Sequence, residues 1–223
     1  MLNKQSTPLV LLVSIVLLFS FLVGCRTSTI TVTPKLTPLA VTVQSVSTSF
    51  ANSILDNGCT TPCWIGIQVG ITNFDEAKDM LILRYGVENV LIIDNHHISW
   101  KAVYVDGLSE GNIFFSGKNI VSEILLHPDT QANFSTEELL IILGEPTWVQ
   151  VFQDPNNSCL GIDLIYSEEG VSVTLNPEGD LKGVQPSQNI FLVRILDTAL
   201  TENWVAHDSI LLKWDGFKDY CSS

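Results

Sequence analysis

Five cysteines, four histidines and a few acidic clusters are the side chains of this chain that could do chemistry, and their spacing decides which chemistry. Cys59 and Cys63 enclose three residues in Cys-Thr-Thr-Pro-Cys, where Pro62 stiffens a short loop. A thiol redox pair wants two intervening residues and a helix N-terminus to lower a thiol pKa, and this stretch offers neither. No second cysteine pair or nearby histidine completes four zinc ligands. Asp94-Asn95-His96-His97 holds metal-ligating residue types, but adjacent strand residues point to opposite faces, so it reads as a solvated turn before a strand. Asp154-x-Asn156-x-Ser158 opens like a calcium loop. Cys159 then stands where glycine is needed and Ile165 where the bidentate glutamate is needed, so it too reads as a turn. His127 and His207 are isolated; Asp208 adjoins the latter, with no nucleophile placed beside either. Gly-x-Ser-x-Gly, His-Glu-x-x-His and phosphate-loop patterns do not occur. The expectation is a non-enzyme with no cofactor and no bound metal.

The elements that carry these residues begin with an export segment. Lys4 precedes an apolar run from Leu9 to Val23, 15 residues interrupted only by Ser14 and Ser20. A membrane span wants ~20 apolar residues and a secretory h-region ~7–15, so the run reads as a signal rather than a span. It ends in Leu22-Val23-Gly24-Cys25. That ending resembles the lipobox of bacterial lipoproteins. The resemblance implies that the Cys25 thiol receives a diacylglycerol and that the chain is cut after Gly24, leaving Cys25 at the new N-terminus. Residues 1–24 are then a lipoprotein signal peptide, and the product is tethered by its acyl chains to the extracytoplasmic face of the cell membrane.

Residues 25–52 follow as a spacer, dominated beyond Cys25 by Ser and Thr, broken by Pro34 and Pro38, and free of acids before Ser53. Such a stretch buries too little surface to offset its ordering entropy. The whole chain carries 24 acids and 11 bases, a net charge of −13. Removing residues 1–24 removes Lys4 and no acid, leaving 10 bases against 24 acids, or −14. This balance excludes nucleic acid as a partner, because phosphate contacts need Lys and Arg.

With Cys25 acylated, Cys59, Cys63, Cys159 and Cys221 remain, an even count suited to two disulfides in an oxidising space. Four cysteines allow three connectivities; the favoured one joins Cys59 to Cys63 and Cys159 to Cys221.

Two segments share a helix-start pattern. Thr72 with Asp75, and Ser135 with Glu138, stand three apart as a capping box requires. Ala77, Met80 and Leu81 fall on one helical face, as do Leu139, Ile142 and Leu143; Gly86 and Gly144 fit C-caps. Strands are expected over 99–105, 112–115 and 120–126 after the first helix. After the second they are expected over 148–152, 161–166, 171–175, 190–196 and 209–214. The expected fold is α+β: a tandem repeat of a capped helix and an antiparallel meander, the first unit spanning 53–130 and the second 131–223.

Ile67-x-x-Gly70-Ile71-Thr72-x-x-x-Glu76-Ala77, with Leu143-Gly144-x-Pro146, resembles the signature of the SmpA/OmlA (BamE-like) envelope lipoproteins and their β-lactamase-inhibitor-protein-like relatives. Pro62-Cys63-Trp64-Ile65-Gly66-Ile67 is similar to a motif of uncharacterised bacterial lipoproteins. The resemblance implies the same helix–meander fold and a role in the cell envelope. The expected function is a membrane-anchored module that binds an envelope protein. The alternative is an inhibitor or small-ligand sensor using the sheet face. Of the five tryptophans, Trp148, together with Tyr166, is the expected exposed anchor for a partner.

Overall fold

The computed structural model describes residues 62–102, 105–132, 134–153, 159–175, 183–201 and 211–221, all within a compact unit spanning 43–223. The signal segment, Cys25, the spacer, Cys59, Asp154–Ser158, Trp204 and the His207–Asp208 pair lie outside the described residues.

The chain enters through a small antiparallel hairpin, β1 (Cys63–Trp64) with β2 (Ile67–Gln68). Helix α1 (Phe74–Tyr85) follows, with Asn73 as its N-cap. The Asn73 side chain accepts from the Glu76 N–H, and the Glu76 carboxylate accepts from the Asn73 N–H. The cap is therefore one residue beyond the expected Thr72. Thr72 is buried instead, where its Oγ1 accepts the Gln68 N–H at 2.8 Å. Helix α2 (Thr136–Leu143) starts at the expected Ser135, which exchanges the same pair of hydrogen bonds with Glu138. Gly86 and Gly144 close the two helices with φ of 86° and 80°, values that favour glycine.

The strands are β3 (Val90–Asp94), β4 (His97–Lys101), β5 (Leu108–Phe115), β6 (Val121–Pro128), β7 (Trp148–Gln153), β8 (Cys159–Tyr166), β9 (Val171–Leu175), β10 (Ile190–Leu196) and β11 (Leu211–Lys213). They form one antiparallel sheet in the order β11-β7-β8-β9-β10-β6-β5-β4-β3. This overturns the expected tandem α+β architecture. The chain is largely β, and its two meanders are not separate units on separate sheets. β10 pairs with β6 through four residues, Val193 with Leu126 to Leu196 with Glu123, so the edge of each meander satisfies the other. The halves remain alike in order, each helix being followed by four antiparallel strands, β3–β6 after α1 and β7–β10 after α2. Asn73 bridges to Ile120 just ahead of β6, and Ser135 bridges to Asn189 just ahead of β10.

Side-chain alternation gives the sheet two unlike faces. One carries Ile98, Trp100, Ile113, Ile124, Val149, Ile162, Leu164, Tyr166, Val173 and Val193, all buried. They share a core with Trp64 and Ile67 of the hairpin and with Ala77, Leu81, Tyr85 and Leu139 of the helices. Each such aliphatic side chain contributes about 1.5–3 kcal/mol by leaving water. Trp64 stacks on Trp100 at 5.1 Å and on Tyr85 at 6.2 Å. Cross-strand from Trp100 is Gly111, and a Cβ there would stand 2.0 Å from Cζ2 of the indole. Only a glycine lets that ring lie flat on the strand.

Cys159 and Cys221 are joined, with Cα atoms 5.6 Å apart, as the favoured pairing expects. The bridge ties the C-terminal tail to the start of β8. Cys63 is disulfide-bonded as well.

Candidate functional site

The second sheet face is where side chains with chemistry collect. Strand pairing places Gln150, Asp163, Ser172, Thr174, Arg194 and Glu123 there. Its centre is not open. Gln150, Asp163, Ile165 and Ser172 are 4, 2, 0 and 1% exposed, although Ile165 does not belong to the core cluster that holds its neighbours Leu164 and Tyr166. The Asp163 Oδ2 accepts from the Ser172 hydroxyl at 3.4 Å, while its Oδ1 is buried with no hydrogen-bond partner. Burial raises the Asp163 carboxyl above its ordinary value, opposed by Thr174, Arg194 and Ser172. Arg194 is paired with Glu123 at 2.8 Å.

Towards β4 and β5 this face is half-buried and aromatic. The His97 ring stacks on Phe114 at 4.5 Å, and its Nε2 meets the Asn112 Oδ1 at 3.0 Å. His96 lies in the β3–β4 turn, where its N–H is accepted by Asp94 at 2.7 Å. The contact of His96 is made by its backbone and that of His97 by its ring. No group of three or more His, Cys, Asp or Glu side chains gathers in metal-binding geometry among the described residues.

A cleft of about 250 Å³ opens where β5, β6 and the start of β10 meet, lined by Glu110, His127, Asp129, Phe134 and Phe191 among others. Glu110 and His127 are cross-strand partners. Half-exposed Phe191 meets the His127 ring edge-on at 5.8 Å. The Ser109 hydroxyl donates to the His127 carbonyl at 3.1 Å, so it engages the backbone rather than the imidazole. The arrangement presents acids beside an aromatic ring, a combination that suits a basic or amphipathic side chain. His127 stands alone in the sequence; only the fold gives it Glu110 and Phe191 as neighbours. Two further hollows, about 360 and 380 Å³, lie beside α2 with Trp214 and Phe217, and beside α1 with Met80 and Leu83.

The two expected partner anchors part company. Trp148 is half-buried on the second face, with the Lys213 Nζ 5.7 Å from its ring centroid. Tyr166 is not an exposed anchor: it is 1% exposed and part of the core, because strand alternation turns it to the opposite face from Ile165 and Asp163. Its burial pushes the phenol pKa well up. At the far end of the sheet, Asp106 accepts from the Arg84 guanidinium and from the Tyr85 hydroxyl at 2.9 Å. That network closes the β4–β5 connection over α1. No helix among the described residues is long and apolar enough to cross a membrane.

No family model matches the chain, and no curated protein matches it. Among solved structures it is similar to a DUF4309 family protein, YjgB, from Bacillus subtilis, at 12% identity and a TM-score of 0.41, covering 68% of this chain and 96% of that one. A likeness of that size carries no argument about this chain.

Proposed function

We propose that this chain is a lipid-anchored, extracytoplasmic, non-enzymatic module that binds another protein of the cell envelope. The observation that carries the reading is Leu22-Val23-Gly24-Cys25 at the end of a 15-residue apolar run. It supplies a thiol to acylate, a small residue at the cut and a signal too short to span. The Cys159–Cys221 bridge supports the same address, since disulfides persist in oxidising spaces. The motif likeness to envelope lipoproteins supports it as well.

The Glu110–His127–Phe191 cleft, at about 250 Å³, is smaller than the ~300–1,000 Å³ of pockets that enclose small molecules, so a side chain of a protein partner suits it better. The chain's net charge of −13 favours a basic partner surface, and Glu110, Asp129 and Phe191 offer it acids and an aromatic. Among the described residues, His97 is engaged with Asn112 and the Ser109 hydroxyl with a backbone carbonyl.

Labelling of the full chain with a radioactive fatty acid tests the anchor. The parent incorporates label and begins at Cys25 by mass spectrometry; Cys25→Ser incorporates none and keeps residues 1–24. Cleavage of the parent without label refutes the anchor. For the binding site, Glu110→Lys and Phe191→Ala each reduce crosslinking to the partner in intact cells about tenfold or more. Unchanged crosslinking in both moves the site away from this cleft.

A further inference from the structure

We infer that the hollow between α2 and the loop following β11 is a docking groove, and that its occupant is a cationic amphipathic helix of a partner protein. The inference rests on the reading of the chain as a protein-binding module, and it sets a second contact apart from the Glu110–His127–Phe191 cleft.

α2 is more apolar than its packing requires. Its sequence, Thr-Glu-Glu-Leu-Leu-Ile-Ile-Leu, ends in five consecutive apolar residues, yet only Thr136 and Leu139 are buried. Apolar side chains on every side of a helical turn are the pattern of a covered helix. Ile141 is instead 79% exposed. Glu137, Leu140, Ile141, Gly144 and Glu145 line the hollow, which measures about 360 Å³. They stand at i, i+3, i+4, i+7 and i+8, so they form one stripe along the helix and through its cap. The stripe reads acid, two apolar residues, bare backbone, acid.

The facing wall is held in place. Trp214 and Phe217 form it, their rings edge to face at 5.7 Å. Phe217 is 42% exposed, on a loop fixed at several points. The Tyr220 hydroxyl accepts the Asp215 N–H at 2.8 Å and donates to the Gly216 carbonyl at 3.0 Å. Tyr220 also stacks on Trp214 at 6.1 Å, and the next residue, Cys221, is bridged to Cys159. An aromatic anchor fixed before binding loses little freedom on binding.

Charge selects the occupant. Among the described residues no Lys or Arg lines the hollow. Lys218, the cation of the loop, is paired with Asp215 at 2.8 Å. Glu137 and Glu145 enter no ion pair among the described residues. They stand at the two ends of the stripe, about 12 Å apart at ~1.5 Å per helical residue. A partner helix with cations seven residues apart spans about 10.5 Å. Its residues three and four positions after the first cation lie on the same face, between the charges. The matching face is therefore cation, two apolar residues, cation, which answers acid with base and Leu140, Ile141 and Phe217 with apolar side chains.

The test uses the full chain in a non-ionic detergent and a fluorescein-labelled peptide of about 16 residues, alanine and glutamine except for one Lys-x-x-Leu-Leu-x-x-Lys face. Fluorescence anisotropy shows saturable binding. Replacing both leucines by serine, or both lysines by glutamate, weakens it about tenfold or more. On the chain, Ile141→Ser, and Glu137→Gln combined with Glu145→Gln, each weaken it about fivefold or more with unchanged near-ultraviolet circular dichroism. Glu110→Lys, in the other cleft, leaves it unchanged. Absence of saturable binding overturns the inference. So does equal binding of the serine or the glutamate peptide, and so does binding that Ile141→Ser or the double glutamine variant leaves intact. If crosslinking in cells is still lost in Glu110→Lys, such a failure removes this groove and leaves the protein-binding reading standing.

Discussion

Gly111→Ala and Gly117→Ala make the same chemical change in one sheet and are expected to have opposite signs. At Gly111 a Cβ would stand 2.0, 2.4 and 2.6 Å from Cζ2, Cη2 and Cε2 of Trp100, all far inside contact. Trp100 cannot yield easily, because it is 1% exposed and held between Trp64 at 5.1 Å and Tyr85 at 6.1 Å. Overpacking of this kind costs about 1–3 kcal/mol. Alanine recovers about 0.5–1 kcal/mol over glycine inside a strand, leaving a net loss of up to about 2.5 kcal/mol. At Gly117 a Cβ meets nothing within 4 Å. There the substitution only restricts the unfolded chain, stabilising by about 0.4–1 kcal/mol. For a compact unit spanning 43–223, each kcal/mol moves Tm by about 2–4 °C. Differential scanning calorimetry should therefore show Gly111→Ala lowered by up to about 10 °C and Gly117→Ala raised by about 1–4 °C. Near-ultraviolet circular dichroism should change in the first alone, because only there does an indole move. Equal melting temperatures for the two variants would refute the claim that the Trp100 ring requires a bare backbone at Gly111.

Three further outcomes are expected. Asn73→Ala and Ser135→Ala should each lose about 0.5–2 kcal/mol in urea unfolding, whereas Thr72→Ser, which keeps the hydroxyl that binds the Gln68 N–H, should lose less than either. Asp163 has a carboxyl raised by burial, so its protonated form suits the folded state: its stabilising contribution is full below the ordinary value of 3.8 and fades as pH rises through the higher folded value. Asp163→Asn should accordingly gain stability relative to the parent between pH 3 and pH 7, and a difference independent of pH would show that this carboxyl does not titrate against burial. Cys221→Ser, which opens a bridge between residues 62 apart, should destabilise the fold by about 4 kcal/mol by thermal unfolding, and reduction of the parent, which also opens the disulfide of Cys63, should cost at least as much.

Much of the secondary structure was legible because it is written in short range. β9 and β10 form at Val171–Leu175 and Ile190–Leu196, where alternation and flanking turns place them. Ser135 with Glu138, and the closing Gly86 and Gly144, act where their spacing says. Asn73 beside Thr72 shows the limit: both are cap types with an acid three residues on, and the choice is made by the bridge from Asn73 to Ile120, far along the chain. β3 was not legible, since Val90-Leu91-Ile92-Ile93 is an apolar run without alternation, compatible with a buried segment. The candidate cleft was legible only as an isolated His127.

What the sequence determines by itself is the local grammar: caps and strands arise from neighbours a few positions apart. The lipobox-like ending at Cys25, on which the proposed address rests, is likewise a pattern of adjacent residues. What only the tertiary structure decides is which strand edges meet and which faces close. Backbone N–H and C=O groups are the same in every strand, so nothing local says that β10 will take β6 as its neighbour and make one sheet where two were expected. That single pairing sets the rest. It joins the two meanders across the centre of the sheet, it brings Phe191 of β10 beside His127 of β6, and it leaves β3 as an apolar rim. Tyr166 and Trp148 are turned to opposite faces by alternation, but which face is covered depends on where α1, α2 and the β1–β2 hairpin lie, and that is a property of the packed whole.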